Sequence, residues 1–257
     1  NGPGLQKVIA FSLPLMLSSC LQLLFNAADV IVVGRFAGST SLAAVGSTTE
    51  LLSLLTTLFI GFSIGANVNV ARTLGNQDDQ GTKDGIHTAV SVSILSGSAM
   101  ILLGFLFGRP MLQWMGTPAD VIDKASLYLM IIFIGMPSNM AYNFGSAILR
   151  AMGDSKRPML FLMVTCILNV VLDLLFVAVL HMGVAGAALA TVLSQMISAV
   201  LPIVVLLRQK EDRLELRKLR IERSLLGRIL RIGIPAGLQF VTFDFSNILI
   251  QSGVNSF

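Results

Sequence analysis

The chain has 257 residues, of which 54% are hydrophobic and only 12% charged, with a mean hydropathy of +0.80. Soluble globular domains carry charge on roughly 25% of their residues, which excludes that class. The net charge of +4 comes from basic residues that fall between apolar blocks with no interleaved aromatic patch, so there is no nucleic-acid signal.

The apolar blocks reach about 20 residues or more, enough to cross a bilayer as helices. The expected fold is an all-α polytopic membrane protein. In chain order, helices are expected over about 8–33, 42–71, 86–108, 122–149, 158–180, 184–207 and 225–257. The first follows Lys7 and is too long for the apolar region of a removable signal sequence. It holds Pro14, Cys20 and, toward its far end, Asp29. The second holds Glu50 and the close-packing pair Gly61 and Gly65. The third opens near His87, read as interfacial, and the fourth holds Pro137. The fifth holds Cys166, Asn169 and Asp173, the sixth Ala187 and Thr191, and the seventh Pro235 and Asp244. The two cysteines read as small buried hydrophobes rather than a disulfide or a metal pair.

Turn-forming stretches separate the helices: GRFAGST (34–40), GNQDDQGTKDG (75–85), GTPAD (116–120), GDSKRP (153–158) and HMGVAG (181–186). Residues 209–223 mix Leu214, Leu216, Leu219 and Ile221 with charges, which suggests either a helix lying on an anionic leaflet or a solvated linker. Basic residues crowd alternate connectors: Lys7, Arg72, Lys83, Arg150, and a dense run from Arg208 to Arg231. The opposite connectors hold only Arg35, Arg109 and Lys124. By the positive-inside rule the N-terminus and the 209–223 segment are cytoplasmic, in a plasma (inner) membrane.

The seventh helix resembles the first. Pro14 pairs with Pro235, Leu17 with Leu238 and Asn26 with Asn247, six spans apart and in the same orientation. That is the pattern of parallel six-helix lobes, associated with secondary transporters. The expected organisation is a six-helix lobe over 1–208, an inter-lobe linker over 209–223, and the first helix of a truncated second lobe over 224–257.

Asp29, Glu50, Asp173 and Asp244 fall inside expected spans. Each costs about 2.5–3.5 kcal/mol to insert, so each should face protein or water. Counting 1.5 Å per residue from the outer helix ends puts Asp29 roughly 10 Å deep, and Asp173 and Thr191 roughly 12 Å deep. Asn169 lies one turn from Asp173 on the same helix face, and Ala187 one turn from Thr191. Two carboxylates, an amide and a hydroxyl in one layer are hard oxygen ligands suited to Na+. Equally, two adjacent carboxylates in a low dielectric cannot both stay ionised and can carry H+. The plain alternative is polar bonding between helices. Glu50, roughly 15 Å deep, either joins this layer or lines a cavity; Asp244 would face the first lobe across a central cleft. Pro14, Pro137 and Pro235 suit helices that bend. No Walker sequence, metal-spaced His/Cys set or Ser-His-Asp set is present, so neither ATP-driven transport nor an enzyme is expected.

Five stretches in order along the chain, FNAADVIVVGRFAGSTSLAAVGS (25–47), LRAMGDSKRPM (149–159), LNVVLD (168–173), GVAGAALAT (183–191) and RIGIPAGLQ (231–239), resemble the multidrug and toxic compound extrusion (MATE) family. The resemblance implies a twelve-helix antiporter with two six-helix lobes, exporting organic cations or other amphipathic compounds in exchange for Na+ or H+. It implies that Asp29, Asn169, Asp173 and Thr191, with the Ala187 carbonyl, form the ion site. It also implies that Gln22 lines the cavity and that Pro14 bends the first helix. Asp244 lies near an acidic position of some branches, and Glu50 matches no family carboxylate. The implied partners are a small-molecule substrate, membrane lipids and the rest of the second lobe. A related lipid-linked oligosaccharide flippase would need a more basic cavity, and a seven-helix receptor would place its N-terminus outside.

Overall fold

The computed structural model describes the backbone over residues 3–209 and 214–255, and side chains from Leu5 on, in the last helix up to Phe243 and at Ser246. Seven α-helices follow in order: α1 (Pro3–Phe36), α2 (Ser39–Gly75), α3 (Asp79–Trp114), α4 (Ile122–Ala151), α5 (Lys156–Asp173), α6 (Gly183–Leu207) and α7 (Arg223–Asn255). α5 continues into a π-helical turn, Leu174–Val179. No strand occurs among the described residues. Helices α1 to α6, with the π turn included in α5, are each long and apolar enough to span a membrane.

The helices outrun the apolar blocks that predict them. α3 was expected over 86–108 but starts at Asp79 and ends at Trp114. The Asp78 carboxylate accepts the Gly81 N–H at 2.8 Å, capping the helix before its apolar part begins. Most of the expected 75–85 connector is therefore helix, which corrects that expectation. The turn between α1 and α2 shrinks to two residues, with Gly38 at a φ of 87° that a side chain would strain.

α4 is the central element, packed on α2, α3 and α6. Its Leu129, Phe133, Met140 and Phe144 are fully buried, against core residues such as Met100 of α3. α1 leans on α5 and touches α2 only lightly. An outward belt of large apolar side chains, including Leu23, Ile31, Leu102, Leu106, Ile167 and Ile197, is exposed, as expected of a lipid-facing surface.

α7 packs along α2 through a seam of glycines. A Cβ at Gly61 would collide with backbone of Gly233 and Gly237, and one at Gly65 with the Ile229 carbonyl. The two backbones approach so closely that only hydrogen fits between them, the geometry small residues permit in membrane helices.

Three further expectations are corrected. Cys20 is exposed rather than buried, because it sits on the open side of α1, and Cys166 is only partly covered. His87 is 7% exposed rather than interfacial, because the α6–α7 connector covers it. That connector is no surface helix over its described residues. Leu214 is fully buried, and regular structure is limited to a single 3-10 turn, Leu216–Lys218. Two of its backbone donors, on Glu215 and Glu222, are taken by the His87 and Thr88 side chains of α3, which outcompete a local helix.

Candidate ion-coupling site

α1, α4, α5 and α6 each send one or two polar side chains into a common layer. Asp29 on α1 is 7% exposed, and Asn169 and Asp173 on α5 are fully buried. Thr191 on α6 is buried, and so is Tyr128 on α4. The spacing of Asn169 and Asp173 puts both on the inner face of α5, while Ile167 and Val171 face outward. Asp173 is the last α-helical residue before the wider π turn. Such turns re-aim a helix locally and recur at functional sites.

The bonds inside this layer are few and long. The Asn169 amide donates to Thr191 Oγ1 at 3.4 Å, and the Tyr128 hydroxyl donates to Asp29 Oδ2 at 3.4 Å. The Asp29 and Asp173 carboxyl groups are close enough to interact directly. Asp29 Oδ1, Asn169 Oδ1 and both Asp173 oxygens are buried with no hydrogen-bond partner. No Lys or Arg is buried among the described residues, and Arg35 near the mouth is exposed. Two buried acids with spare lone pairs and no cation cannot both stay charged without a large desolvation cost. Such an arrangement can chemically accommodate a positive charge or a proton.

Part of this layer lines a cavity of about 460 Å³, within the usual range for small-molecule sites. Asp29, Tyr128 and Thr191 line it, with Gln22 and Asn26 of α1. Deeper in, the wall turns to neutral amides and hydroxyls. Asn139 and Asn143 of α4 are joined through a 2.9 Å side-chain bond, and Thr165 meets Ser198 at 2.5 Å. The Gln195 carbonyl oxygen is buried there without a partner.

The structure thus brings together Asp29, Asn169, Asp173 and Thr191, and places Gln22 on the same cavity. Ala187 is fully buried one turn from Thr191. Glu50 is exposed and stands outside the cavity wall, although its neighbours Thr49 and Leu52 line it. The Asp244 side chain lies outside the described residues. Pro14 is buried within a continuous α1, with the Ser18 hydroxyl donating to its carbonyl at 2.8 Å.

Sequence reasoning missed Tyr128, Asn139 and Asn143. A signal existed: Asn139, Tyr142 and Asn143 recur at helical spacing in an apolar span, so they share a face.

Comparison with known proteins bears on the family and the fold. The MatE family model matches residues 14–175. The chain is 33% identical over its full length to the probable multidrug resistance protein YpnP of Bacillus subtilis, covering 58% of that protein. A crystal structure of a MATE protein in the bent conformation superimposes with a TM-score of 0.89 at 29% identity, over 96% of this chain and 55% of that one. An outward-facing multidrug resistance transporter of the same family gives a TM-score of 0.88 at 28% identity, over 96% and 55%. The chain therefore spans little more than half the length of these relatives.

Proposed function

The chain belongs to the MatE family, and from that premise we propose that it is the ion-coupling half of an antiporter that exports organic cations or other amphipathic compounds in exchange for Na+ or H+. The observation that carries this reading is the set of unpartnered buried oxygens on Asp29, Asn169 and Asp173, of which Asp29 also lines a cavity large enough for a small molecule. The Thr191 hydroxyl and the Ala187 carbonyl complete the proposed ligand set.

In the proposed cycle the N-terminus faces the cytoplasm and the Asp29 layer faces the outer leaflet. The ion enters from outside and neutralises the two acids. As Na+ it would take the free oxygens of Asp29, Asn169 and Asp173. As H+ it would sit on one carboxyl and bond to the other. Either way the cavity wall loses its negative charge, and a cationic substrate held beside Asp29 loses its counter-charge. α1, which rests mainly on α5 and carries Pro14, is the element free to bend in response. Coupling follows only because ion and substrate favour different states of this wall; equal affinity for both would shift nothing. The described cavity wall holds an acid and no Lys or Arg, which supports cation export over pyrophosphate-lipid flipping.

The testing experiment is dye efflux from drug-sensitive cells expressing the full-length protein, with Na+ present or absent and with an uncoupler. Efflux lost without Na+ assigns the oxygen set to sodium. Efflux that persists without Na+ and collapses with the uncoupler assigns Asp29 and Asp173 to protons. Efflux indifferent to both gradients would overturn the reading.

A further inference from the structure

Away from the cavity, the connector from α6 to α7 is strapped across the first turns of α3. Leu214 is fully buried, and its N–H donates to the Leu206 carbonyl at 3.1 Å. The Glu215 N–H donates to Nε2 of His87 at 3.1 Å, and Nδ1 of the same ring lies 2.6 Å from the Lys83 carbonyl oxygen. A carbonyl only accepts and an N–H only donates, so Nδ1 carries the proton and Nε2 is bare. Farther along, the Arg220 guanidinium meets the Asp84 carboxylate at 2.5 Å, and the Glu222 N–H donates to Thr88 Oγ1 at 3.2 Å. α7 begins at the next residue, Arg223.

We propose that His87 is a proton-operated latch: neutral, it holds the α6–α7 connector on α3, and protonated, it lets the connector go. An imidazolium carries hydrogen on both nitrogens. Nε2–H would then point at the Glu215 N–H, two donors facing one another, and the part-buried backbone donor would lose its acceptor. Among the described residues the acids nearest the ring are already paired with bases, although Asp84 would still attract an imidazolium. On α3, Asp84 is taken by Arg220; on the connector, the Glu215 carboxylate is taken by Lys218 at 2.9 Å. Lys83 is basic, and the charges that neighbouring helices bring to this end are basic too: Arg72 of α2, Arg150 of α4, and Arg223 and Arg228 of α7. Among the described residues of the connector Glu222 is the other acid, at its far end beside Thr88.

The latch controls the root of α7, because the strap ends where that helix starts. On the orientation proposed above it faces the cytoplasm, so cytoplasmic acid would loosen the join between the lobes. The side of the membrane rests on that reading; the hydrogen-bond chemistry does not.

The test is hydrogen exchange of the chain in lipid nanodiscs between roughly pH 5 and pH 8, with rates corrected for intrinsic pH dependence. The expected result is about tenfold faster exchange of the 214–222 amides at the acid end, the equivalent of one lost hydrogen bond. His87→Gln keeps an acceptor that does not titrate, and should hold the strap at every pH. Thr88→Val should loosen the strap by a constant factor and keep the pH dependence. Equal protection at both ends of the range in the unaltered chain would overturn the latch, as would a pH dependence that survives His87→Gln. If that variant fails to fold, ring 15N spectra of the unaltered chain decide. The expected record is an Nδ1–H tautomer that becomes imidazolium over the interval in which the strap opens; an Nε2–H tautomer at the neutral end would contradict the proposal.

Discussion

The Tyr128 hydroxyl of α4 reaches Asp29 Oδ2 of α1 across 3.4 Å, while Asp29 Oδ1 accepts no hydrogen bond among the described residues. At this length the bond is longer than an ordinary O–H···O bond of about 2.5–3.0 Å, so it steers Asp29 without saturating it. Tyr128→Phe should therefore weaken the site rather than destroy it. A bond to a charged group contributes about 1.5–3 kcal/mol at normal length. A stretched one should cost about 1 kcal/mol, or roughly a fivefold rise in the coupling-ion concentration that half-saturates efflux. Efflux titrated against Na+ or pH measures it; a variant with no response to either ion would show that Tyr128 does more than orient Asp29.

Thr191→Val removes the acceptor of the Asn169 amide while keeping the volume. The Asn169 side chain is then free to turn, and its buried amide is left unpaired, at about 1–3 kcal/mol. The expected outcome is a lower melting temperature together with an ion requirement raised by about tenfold or more. Comparing thermal unfolding with and without the coupling ion separates the two effects, because loss of ion stabilisation appears only in the difference.

Glu50→Gln should leave the ion requirement of efflux unchanged. The side chain is exposed and stands outside the cavity wall, so its charge is not part of the layer around Asp29. A shift in half-saturating ion concentration comparable to that of Tyr128→Phe would contradict this placement.

The seam of α2 and α7 gives a purely steric prediction. Gly65→Ala would push a methyl into the Ile229 carbonyl and should lower stability by about 1–3 kcal/mol, the usual cost of overpacking. Gly46→Ala, on the same helix with nothing within 4 Å of its added Cβ, should be neutral or stabilising by up to about 1 kcal/mol. Thermal melts of the two variants in the same lipid provide the comparison.

The spans were legible because a bilayer demands long apolar runs, and Asp29 and Asp173 because a carboxylate in such a run is costly. Depth could be counted at 1.5 Å per residue, which put Asp29, Asp173 and Thr191 in one layer before any packing was known. Rotation could not be counted. Glu50 shares nearly the same depth, yet its side of α2 is set by how that helix packs on α4 and α7. Tyr128, Asn139 and Asn143 passed unnoticed because neutral polar groups cost less in a span than charges do. The helix ends were missed because α3 extends beyond its apolar block on an Asp78 cap. The 209–223 segment misled because its alternating Leu and charges fit an amphipathic helix; Leu214 and the acceptors on His87 and Thr88 pin it to α3 instead.

The most direct test of the central claim is drug efflux by the full-length protein carrying Asp173→Asn, beside the unaltered protein, with membrane insertion confirmed for both. The amide keeps the shape and removes the charge from a residue that is fully buried with both carboxylate oxygens unpartnered. The variant should insert normally and lose ion-driven efflux. Efflux at the unaltered rate, under the same Na+ or H+ gradient, would show that the buried carboxylate layer does not couple transport.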